Sequence, residues 1–219
     1  MLALDDDVIP QVDYIEKILK NFENKKVVGD SGLAVSKSFK RPSQKNSLIK
    51  RLFLLDSKIE GSITLGGINV PFSKNIPHEK PQLKSSWLIG CAAWKFSKIN
   101  KLRYMNFYGQ SLFEDVIFSH EMAKHGQLIV DKSIKFEHEE SLIGRPNFRE
   151  FYEMWVFNRY FVVRKLNKNP VRYLAFHWTN LGKLLQISVE VICSREGSVQ
   201  KMNGFISGYR KLFHLILNK

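Results

Sequence analysis

Cysteine is scarce in this sequence, and its scarcity argues against a disulfide-rich domain and against a cysteine zinc site. The two cysteines, Cys91 and Cys193, lie far apart in the chain. They therefore provide neither the framework of a small disulfide-rich domain nor the paired spacing of a zinc site. Free thiols suit a reducing compartment, and the expected location is the cytoplasm.

Long apolar runs are also missing. Three aspartates at 5–7 interrupt the short apolar start, so the first residues do not resemble a signal peptide. The most apolar long window, 173–193, contains a lysine and a glutamate among its polar residues. We therefore expect no segment of this sequence to span a bilayer.

The 219 residues do contain an apolar fraction of 44%, which is enough for a packed core, and a net charge of +13. An excess of 34 basic over 21 acidic residues attracts polyanions, whether nucleic acid, anionic lipid headgroups or phosphorylated substrates. Charge alone does not choose among these partners.

Apolar periodicity and turn residues predict an α/β chain whose last part is helical. The predicted elements are a strand ending at Leu4, a helix after Pro10, a strand over 27–35, a helix over 44–59, a strand-and-loop segment over 62–81, an apolar segment over 87–96, a helix from Ser111 to Gly126, short strands over 128–130 and 134–136, and helices over 147–219 separated near Pro170 and around Gly197.

Single residues within these elements carry predictions of their own. Pro10 suits the first turn of a helix. Gly29 and Gly32 indicate bulges or close approaches within their strand. The spacing of Leu48, Leu52 and Leu55 places all three on the inward face of their helix.

Asp5, Asp6 and Asp7 directly follow the first apolar strand. Adjacent carboxylates repel one another, and a divalent cation among them offsets that repulsion. Because residues two apart point the same way on an extended backbone, Asp5 and Asp7 are both expected to reach one Mn²⁺ or Mg²⁺ ion. The alternative is a solvated acidic turn that caps the next helix, and the tripeptide alone favours neither.

A second carboxylate pair, Glu114 and Asp115, lies at the predicted start of a helix. Ser111 and Glu114 match a capping box, in which hydroxyl and carboxylate satisfy the first N–H groups of the helix. Asp115 is not needed for the box. Near the positive end of the helix it can act as a general base toward a bound hydroxyl, or simply complement the helix dipole at the surface.

Two more residues have both a functional and a structural interpretation. His138 follows a predicted strand, and its imidazole can complete a carboxylate metal site, although a histidine between glutamates is more often a surface residue. Arg159 falls on an otherwise apolar helical stripe that includes Trp155. A guanidinium there needs an anionic partner, and a phosphate and a nearby carboxylate are equally suitable.

In this order the motifs resemble those of family 2 glycosyltransferases. The matching strings are LALDDDVIP, LIGCAAWKFSKI, FYGQSLFEDVIFSHEMAKHG and IKFEHEES, followed by a helix with tryptophan and arginine, and they cover residues 1–165. The acidic pair after Gly109 comes later than is common in that family. The Asn158-Arg159-Tyr160 segment also departs from the R-x-x-R-W pattern of many relatives.

The resemblance implies an activity and a set of roles. The activity is inverting, metal-dependent transfer of a sugar from a nucleotide-sugar, such as a UDP- or dTDP-sugar, to an acceptor hydroxyl on a glycan or a lipid-linked molecule. This would serve the synthesis of cell-surface polysaccharide or glycolipid. The implied roles are metal ligation by Asp5, Asp7 and His138, catalysis by the base Asp115 with Glu114 orienting the acceptor, and donor binding by Asp6 and Arg159.

The resemblance also implies a partial GT-A fold, with a Rossmann-like mixed sheet flanked by helices over 1–145 and a C-terminal helical region over 146–219. In that family several nucleotide-binding βα units precede the D-x-D strand, and this sequence begins at that strand. A truncated gene is expected, and the alternatives are a fragment or a partner chain that supplies the missing half. A truncated chain would bind the nucleotide-sugar poorly, and its activity alone is left open.

The helices after residue 146 look amphipathic and basic. Such helices fit a peripheral enzyme bound to the anionic inner face of the plasma membrane, and they fit equally well a helical cap on the catalytic domain.

Two other classes compete with this interpretation. A non-catalytic basic module for nucleic acid or a membrane surface fits the charge, but the sequence shows no nucleic-acid motif, so no specific nucleic-acid partner is expected. A glycoside hydrolase also uses paired carboxylates, but Asp5 and Asp7 are too close in sequence to flank a glycosidic bond. Metal dependence separates a transferase from a hydrolase.

Overall fold

A computed structural model describes residues 1–35, 47–72, 81–99, 101–107, 112–138, 147–166 and 169–218. The chain forms a mixed β-sheet flanked by helices, followed by three long helices, which confirms the predicted α/β class. The strands are β1 (Leu2–Leu4), β2 (Val8–Pro10), β3 (Val27–Ala34), β4 (Gln82–Ser85), β5 (Cys91–Trp94) and β6 (Gln127–His138). The helices are α1 (Tyr14–Phe22), α2 (Ser47–Leu52), α3 (Phe96–Ile99), α4 (Glu114–Ala123), α5 (Phe148–Leu166), α6 (Pro170–Ile192) and α7 (Ser198–Leu217).

The sheet has the strand order β1-β5-β3-β6-β2, and β4 pairs with β6 off this path. Strands β3 and β6 are parallel, and the other pairs are antiparallel. Within the described sheet β1 is therefore an edge strand, and β6 joins the parallel centre to both β4 and β2.

Strand β6 corrects one prediction. Residues 128–130 and 134–136 were expected to form two short strands, but they belong to one strand of 12 residues. The register against β3 shifts between Gly32 and Leu33, so the ladder continues across an irregularity instead of ending there. Sequence periodicity changes at such a shift and gives the appearance of a break.

The two glycines of β3 lie where the prediction required close approach. A Cβ atom on Gly29 would lie 2.7 Å from the Trp94 ring, and one on Gly32 would lie 2.6 Å from the carbonyl oxygen of Ile134. The register shifts of β3 also fall beside these two residues. The absence of a side chain therefore lets neighbouring elements pack directly on the strand backbone.

Two predictions near the N-terminal half were wrong. Pro10 does not open a helix: it ends β2, opposite Phe136 of β6, and α1 begins at Tyr14. The helix predicted over 44–59 covers only Ser47–Leu52 within the described residues, and 44–46 lie outside them. Leu48 and Leu52 are 77% and 64% exposed, so they do not point inward as expected, whereas Leu55 after the helix packs against the core.

Helices cover both faces of the sheet. On one face, Tyr14 and Ile18 of α1 pack with Phe136, and the Tyr14 hydroxyl donates to the Cys91 carbonyl at 2.7 Å. On the other face, Phe118 of α4 packs edge-on against Trp94, with ring centroids 5.0 Å apart. The central strand β3 is therefore buried along most of its length, including its polar residues Asp30 and Ser31.

The three C-terminal helices confirm the predicted breaks at Pro170 and Gly197. Helices α5 and α7 approach closely because Gly204 and Gly208 of α7 face α5: a Cβ atom on Gly204 would lie 2.0 Å from the Arg149 carbonyl oxygen. No described helix is both long and apolar enough to cross a membrane.

A buried polar cluster links α1 to the two parallel strands. The Asn21 amide nitrogen donates to Asp30 and Asp131, at 2.8 Å each, and Gln82 donates to the Asn21 oxygen. Asp131 also accepts from Ser133, whereas one carboxylate oxygen of Asp30 has no hydrogen-bond partner among the described residues. Burial, together with the charge of Asp131, raises the pKa of Asp30 to about 7.

This cluster predicts a pH dependence of stability. An unfolded aspartate has a pKa of about 3.9, so between about pH 4 and pH 7 the folded chain holds a proton on Asp30 that the unfolded chain releases. The free energy of unfolding should therefore fall as the pH rises through this window. In urea unfolding at about pH 5 and pH 8, Asp30→Asn should reduce that fall.

The matched control is Asp13→Asn, which removes an exposed aspartate that is paired with Lys17. It should leave the decrease between the two pH values nearly as it is in the parent protein. An unchanged decrease in Asp30→Asn would show that Asp30 ionises normally.

Candidate functional site

The aspartate loop between β1 and β2 is held by the sheet at both ends. The Asp5 N–H donates to the Gly90 carbonyl at 2.8 Å, which extends the pairing of β1 with β5. On the other side of the loop, Val8 of β2 lies opposite His138 of β6. This pairing brings Asp7 to His138, and the Asp7 Oδ1 and His138 Nε2 atoms are 3.0 Å apart.

Asp5, Asp7 and His138 therefore meet, as the sequence predicted for a metal site. Each offers one ligand atom, and these atoms all lie within 4.8 Å of one another. Two carboxylates and an imidazole are a suitable donor set for a divalent cation such as Mn²⁺. Asp6 is exposed and is not part of this group. Metal binding itself stays a prediction.

Gly90 leaves the space that the Asp5 carboxylate uses. A Cβ atom on residue 90 would lie 1.7 Å from Asp5 Oδ2. The space beside Gly90 is therefore occupied by an aspartate side chain. Asp5 is exposed as a residue, but the packing around its carboxylate raises its pKa, the nearby His138 opposes that shift, and Asp7 and Asp6 add to it.

The second carboxylate pair lies at the start of α4, but not in the predicted capping box. The helix begins at Glu114, and its N-cap is Phe113, which makes no side-chain capping bond. Phe113 has a left-handed backbone with φ 74°, a conformation that costs energy for a residue with a bulky side chain. Ser111, the predicted cap, lies outside the described residues.

Asp115 is half-buried in the first turn of α4, and its Oδ1 accepts a hydrogen bond from the Val116 N–H at 2.7 Å. Burial raises the pKa of Asp115 to about 7, and the charges of Glu114 and Asp5 contribute to the rise. The pKa of Glu114 is also raised, mainly by burial, and its Oε2 has no hydrogen-bond partner among the described residues. A carboxylate with a pKa near neutrality can take up a proton during a reaction.

One cleft of about 770 Å³ joins the two acidic groups. Asp5 and Gly90 line one part of it, Glu114 and Asp115 line another, and Trp155 contributes to the wall. A smaller cavity of about 200 Å³ includes His138, and Leu88 and Ile89 line both spaces. The structure therefore places the predicted base and one predicted metal ligand on the same concave surface.

Sequence reasoning missed part of this wall. Tyr104 lies in an irregular segment without periodicity, so nothing in the sequence marked it as a cleft residue. In the structure its ring stacks on Phe118, with centroids 4.2 Å apart, and its hydroxyl accepts from Trp94 Nε1. Trp155 was recognised as part of an apolar stripe, and only the fold shows that one side of it faces the cleft.

Arg159 does not line the cleft and does not have the anionic partner that the sequence predicted. Its side chain is fully buried, and its guanidinium lies 3.6 Å from the Trp155 ring centroid and 5.0 Å from that of Phe176. It donates to the side-chain oxygen of Asn180, and its Nε and Nη1 atoms have no hydrogen-bond partner among the described residues, so no described carboxylate accepts from them. Burial lowers its pKa to about 9. The described geometry therefore gives Arg159 a role in packing.

The coupling between the two acidic groups is testable without any ligand. The protonation of Asp115 should have a midpoint near pH 7, and Asp5→Asn should lower this midpoint because it removes a nearby negative charge. Infrared difference spectra against Asp115→Asn identify the carboxyl band to follow. Asp13→Asn, a change at an exposed aspartate that does not affect this pKa, should leave the midpoint unchanged. A midpoint near the ordinary value of about 3.9 would contradict the described burial.

Comparisons with protein-family models, with curated proteins and with solved structures found no match to this chain.

Proposed function

We propose that this chain is the catalytic and acceptor-binding part of a family 2 glycosyltransferase with a GT-A arrangement. The observation that carries this proposal is the shared cleft, which places Asp5 of the predicted metal cluster and the elevated-pKa carboxylate of Asp115 on one concave surface. Transfer of a sugar from a nucleotide-sugar to a hydroxyl needs these two groups together, because a diphosphate must leave while a hydroxyl loses its proton.

The donor side of the reaction belongs to the cluster of Asp5, Asp7 and His138. A divalent cation bound there, Mn²⁺ or Mg²⁺, would supply positive charge for the departing diphosphate. Asp5 and Asp7 fit this role because both carboxylates reach one point although the backbone turns between them. His138 fixes Asp7 through its 3.0 Å contact and offers a ligand nitrogen.

The acceptor side belongs to Asp115. In the proposed step its carboxylate takes the proton of the acceptor hydroxyl, the hydroxyl oxygen forms a bond to the anomeric carbon, and the bond from that carbon to the diphosphate oxygen breaks. A single displacement inverts the anomeric centre. Because the pKa of Asp115 is raised to about 7, its carboxylate is a stronger base than an ordinary aspartate. Glu114 adjoins it on the cleft and orients the acceptor.

The cleft also suits an acceptor sugar in size and in lining. Its volume of about 770 Å³ lies within the range of about 300–1,000 Å³ that is usual for small-molecule sites. Tyr104 and Trp155 provide aromatic surface beside the acidic groups. The D-x-D strand is central in the resembled family, whereas β1 is an edge strand here, so we expect weak donor affinity unless a further strand or chain pairs with it.

Calorimetric titration of Mn²⁺ together with UDP tests the donor site. The parent chain should bind, and Asp5→Asn or Asp7→Asn should weaken binding at least about tenfold, because loss even of residues that only support metal ligands costs that much. Gly90→Ala should also weaken binding, since its Cβ atom would displace the Asp5 carboxylate. Asp13→Asn is the matched control, because it removes an equal charge from an exposed position outside the predicted donor site.

The outcomes separate the competing functions. Equal binding by the parent chain and by Asp5→Asn would remove the basis for the metal cluster. Failure of the parent to bind, combined with strongly salt-dependent binding of DNA or RNA, would favour the non-catalytic basic module that the net charge allows.

Replacement of the base tests the acceptor site. In an assay of UDP release from UDP-sugars with glycan acceptors, Asp115→Asn should lower turnover by about 10²–10⁴-fold while the affinity for Mn²⁺ and UDP is unchanged. Parent turnover should rise with pH through about 7, because only the deprotonated carboxylate accepts a proton. Glu121→Gln, on the same helix but outside the cleft lining, should keep parent activity. A loss of affinity equal to the loss of turnover in Asp115→Asn would show a structural role.

A further inference from the structure

Helix α6 carries an exposed apolar stripe along its whole length. Successive members lie three or four residues apart, which places them on one face of the helix. Their exposed fractions range from 42% to 81%. The members are Val171, Leu174, Trp178, Leu181, Leu185, Val189 and Ile192.

Helix α7 extends this apolar surface. Val199, Ile206, Phe213 and Leu217 are exposed and lie seven, seven and four residues apart, so they also share a face. A groove of about 630 Å³ runs between the two helices, with apolar walls that include Leu181 of α6 and Ile206 and Phe213 of α7. We call the two stripes and this groove the α6–α7 face.

The charged groups that line the groove of this face are of one sign. The ionisable residues that line the groove are His177, Arg210, His214 and Tyr209, and no carboxylate is among its described lining residues. Residues 169–219 contain seven lysines and arginines but only two glutamates. One of these, Glu190, is buried and paired with Lys201 at 2.8 Å. The other, Glu196, is exposed in the turn between α6 and α7, and Lys211 of α7 is paired with Glu153 of α5. The basic character of this face is therefore greatest at the groove, where Arg210 lies.

We propose that the α6–α7 face docks this protein on the surface of an anionic lipid bilayer. The stripe on α6 follows 23 residues, a length of about 34 Å at 1.5 Å per residue, and a bilayer can cover such a continuous line. Trp178 lies on this line, and tryptophan favours the boundary between water and hydrocarbon. The helix would lie in the interface, with its apolar side toward the acyl chains and basic groups near the lipid phosphates.

The docking proposal does not depend on the acidic cleft, because none of the residues that carry it contacts the aspartate loop or α4 among the described contacts. Its test therefore needs neither metal nor nucleotide. Failure of the donor-binding titration would leave the membrane result intact, and the reverse also holds.

Vesicle flotation with the full chain tests the proposal. Vesicles of phosphatidylcholine mixed with phosphatidylglycerol should carry the protein upward, and vesicles of phosphatidylcholine alone should carry much less. Leu181→Glu combined with Leu185→Glu should weaken binding at least about tenfold, because two apolar side chains are replaced by charges that the lipid repels. Arg210→Glu should weaken binding to the anionic vesicles alone.

The matched control is Ile15→Glu combined with Leu19→Glu on α1. These residues are 59% and 62% exposed and also lie four apart, so this variant loses similar apolar surface at another place. Its binding to anionic vesicles should equal that of the parent. Circular dichroism melting confirms that both double variants fold.

The fluorescence of Trp178 reports directly on docking, because the other three tryptophans are buried. These are Trp87, Trp94 and Trp155. Its emission should shift to the blue on addition of anionic vesicles, and Trp178→Phe should abolish the shift. Equal binding by both double variants would overturn the proposal. A different result would also overturn it: the parent does not bind vesicles, light scattering shows that it forms a dimer, and Leu181→Glu combined with Leu185→Glu dissociates that dimer. This result would assign the α6–α7 face to a second copy of the chain.

Discussion

The candidate site depends on the backbone pairing of two short strands with partners that are distant in sequence. Strand β1 pairs with β5 and strand β2 pairs with the end of β6, so the three-residue loop between them is anchored on both sides. A loop tied in this way cannot relax to separate its carboxylates. The same pairing brings His138 to Asp7, although 130 positions lie between them in the chain. Without the pairing of β2 with β6, the aspartates would form only an exposed acidic turn.

The electrostatics of the cleft oppose folding, and the rest of the chain offsets this cost. Asp5, Glu114 and Asp115 each have a raised pKa, which means that burial and mutual repulsion destabilise their charged forms. A fold selected for stability alone would place such residues in water. The left-handed backbone of Phe113, directly before the acidic pair, is a second local cost at the same place. Concentration of such costs in one cleft is typical of a functional site.

The C-terminal helices bury a cation, the guanidinium of Arg159, inside their core. Arg159 is neutralised by no carboxylate among the described residues, and the Trp155 and Phe176 rings with the Asn180 oxygen take that role. This packing connects α5 to α6 behind the cleft wall, because Trp155 contacts the guanidinium and also lines the cleft. Helices α6 and α7 also leave apolar side chains exposed on their outer surface. The C-terminal region therefore has one side packed against the cleft wall and an apolar side exposed to the surroundings.

Much of the secondary structure, and which acidic residues lie close together, could be predicted from the sequence. Apolar runs, glycines and prolines located β1, β3, α4 and the three C-terminal helices, and the order of the acidic motifs identified Asp5, Asp7, Asp115 and His138. Local patterns were misleading where tertiary pairing decided the conformation. Pro10 suits a helix start by local preference, but the ladder with β6 takes it into a strand, at its end, where proline is tolerated.

The sequence by itself determined which side chains can bind a cation or accept a proton, because that chemistry belongs to the residue type. Only the tertiary structure decided which of them meet: His138 with Asp7, Asp5 with the space over Gly90, and Asp115 with Asp5 across one cleft. It also decided that Arg159 is buried among aromatic rings instead of facing a phosphate. The physical reason is that distance and burial set the strength of charge interactions, and both arise from pairings between strands and helices that local sequence does not encode.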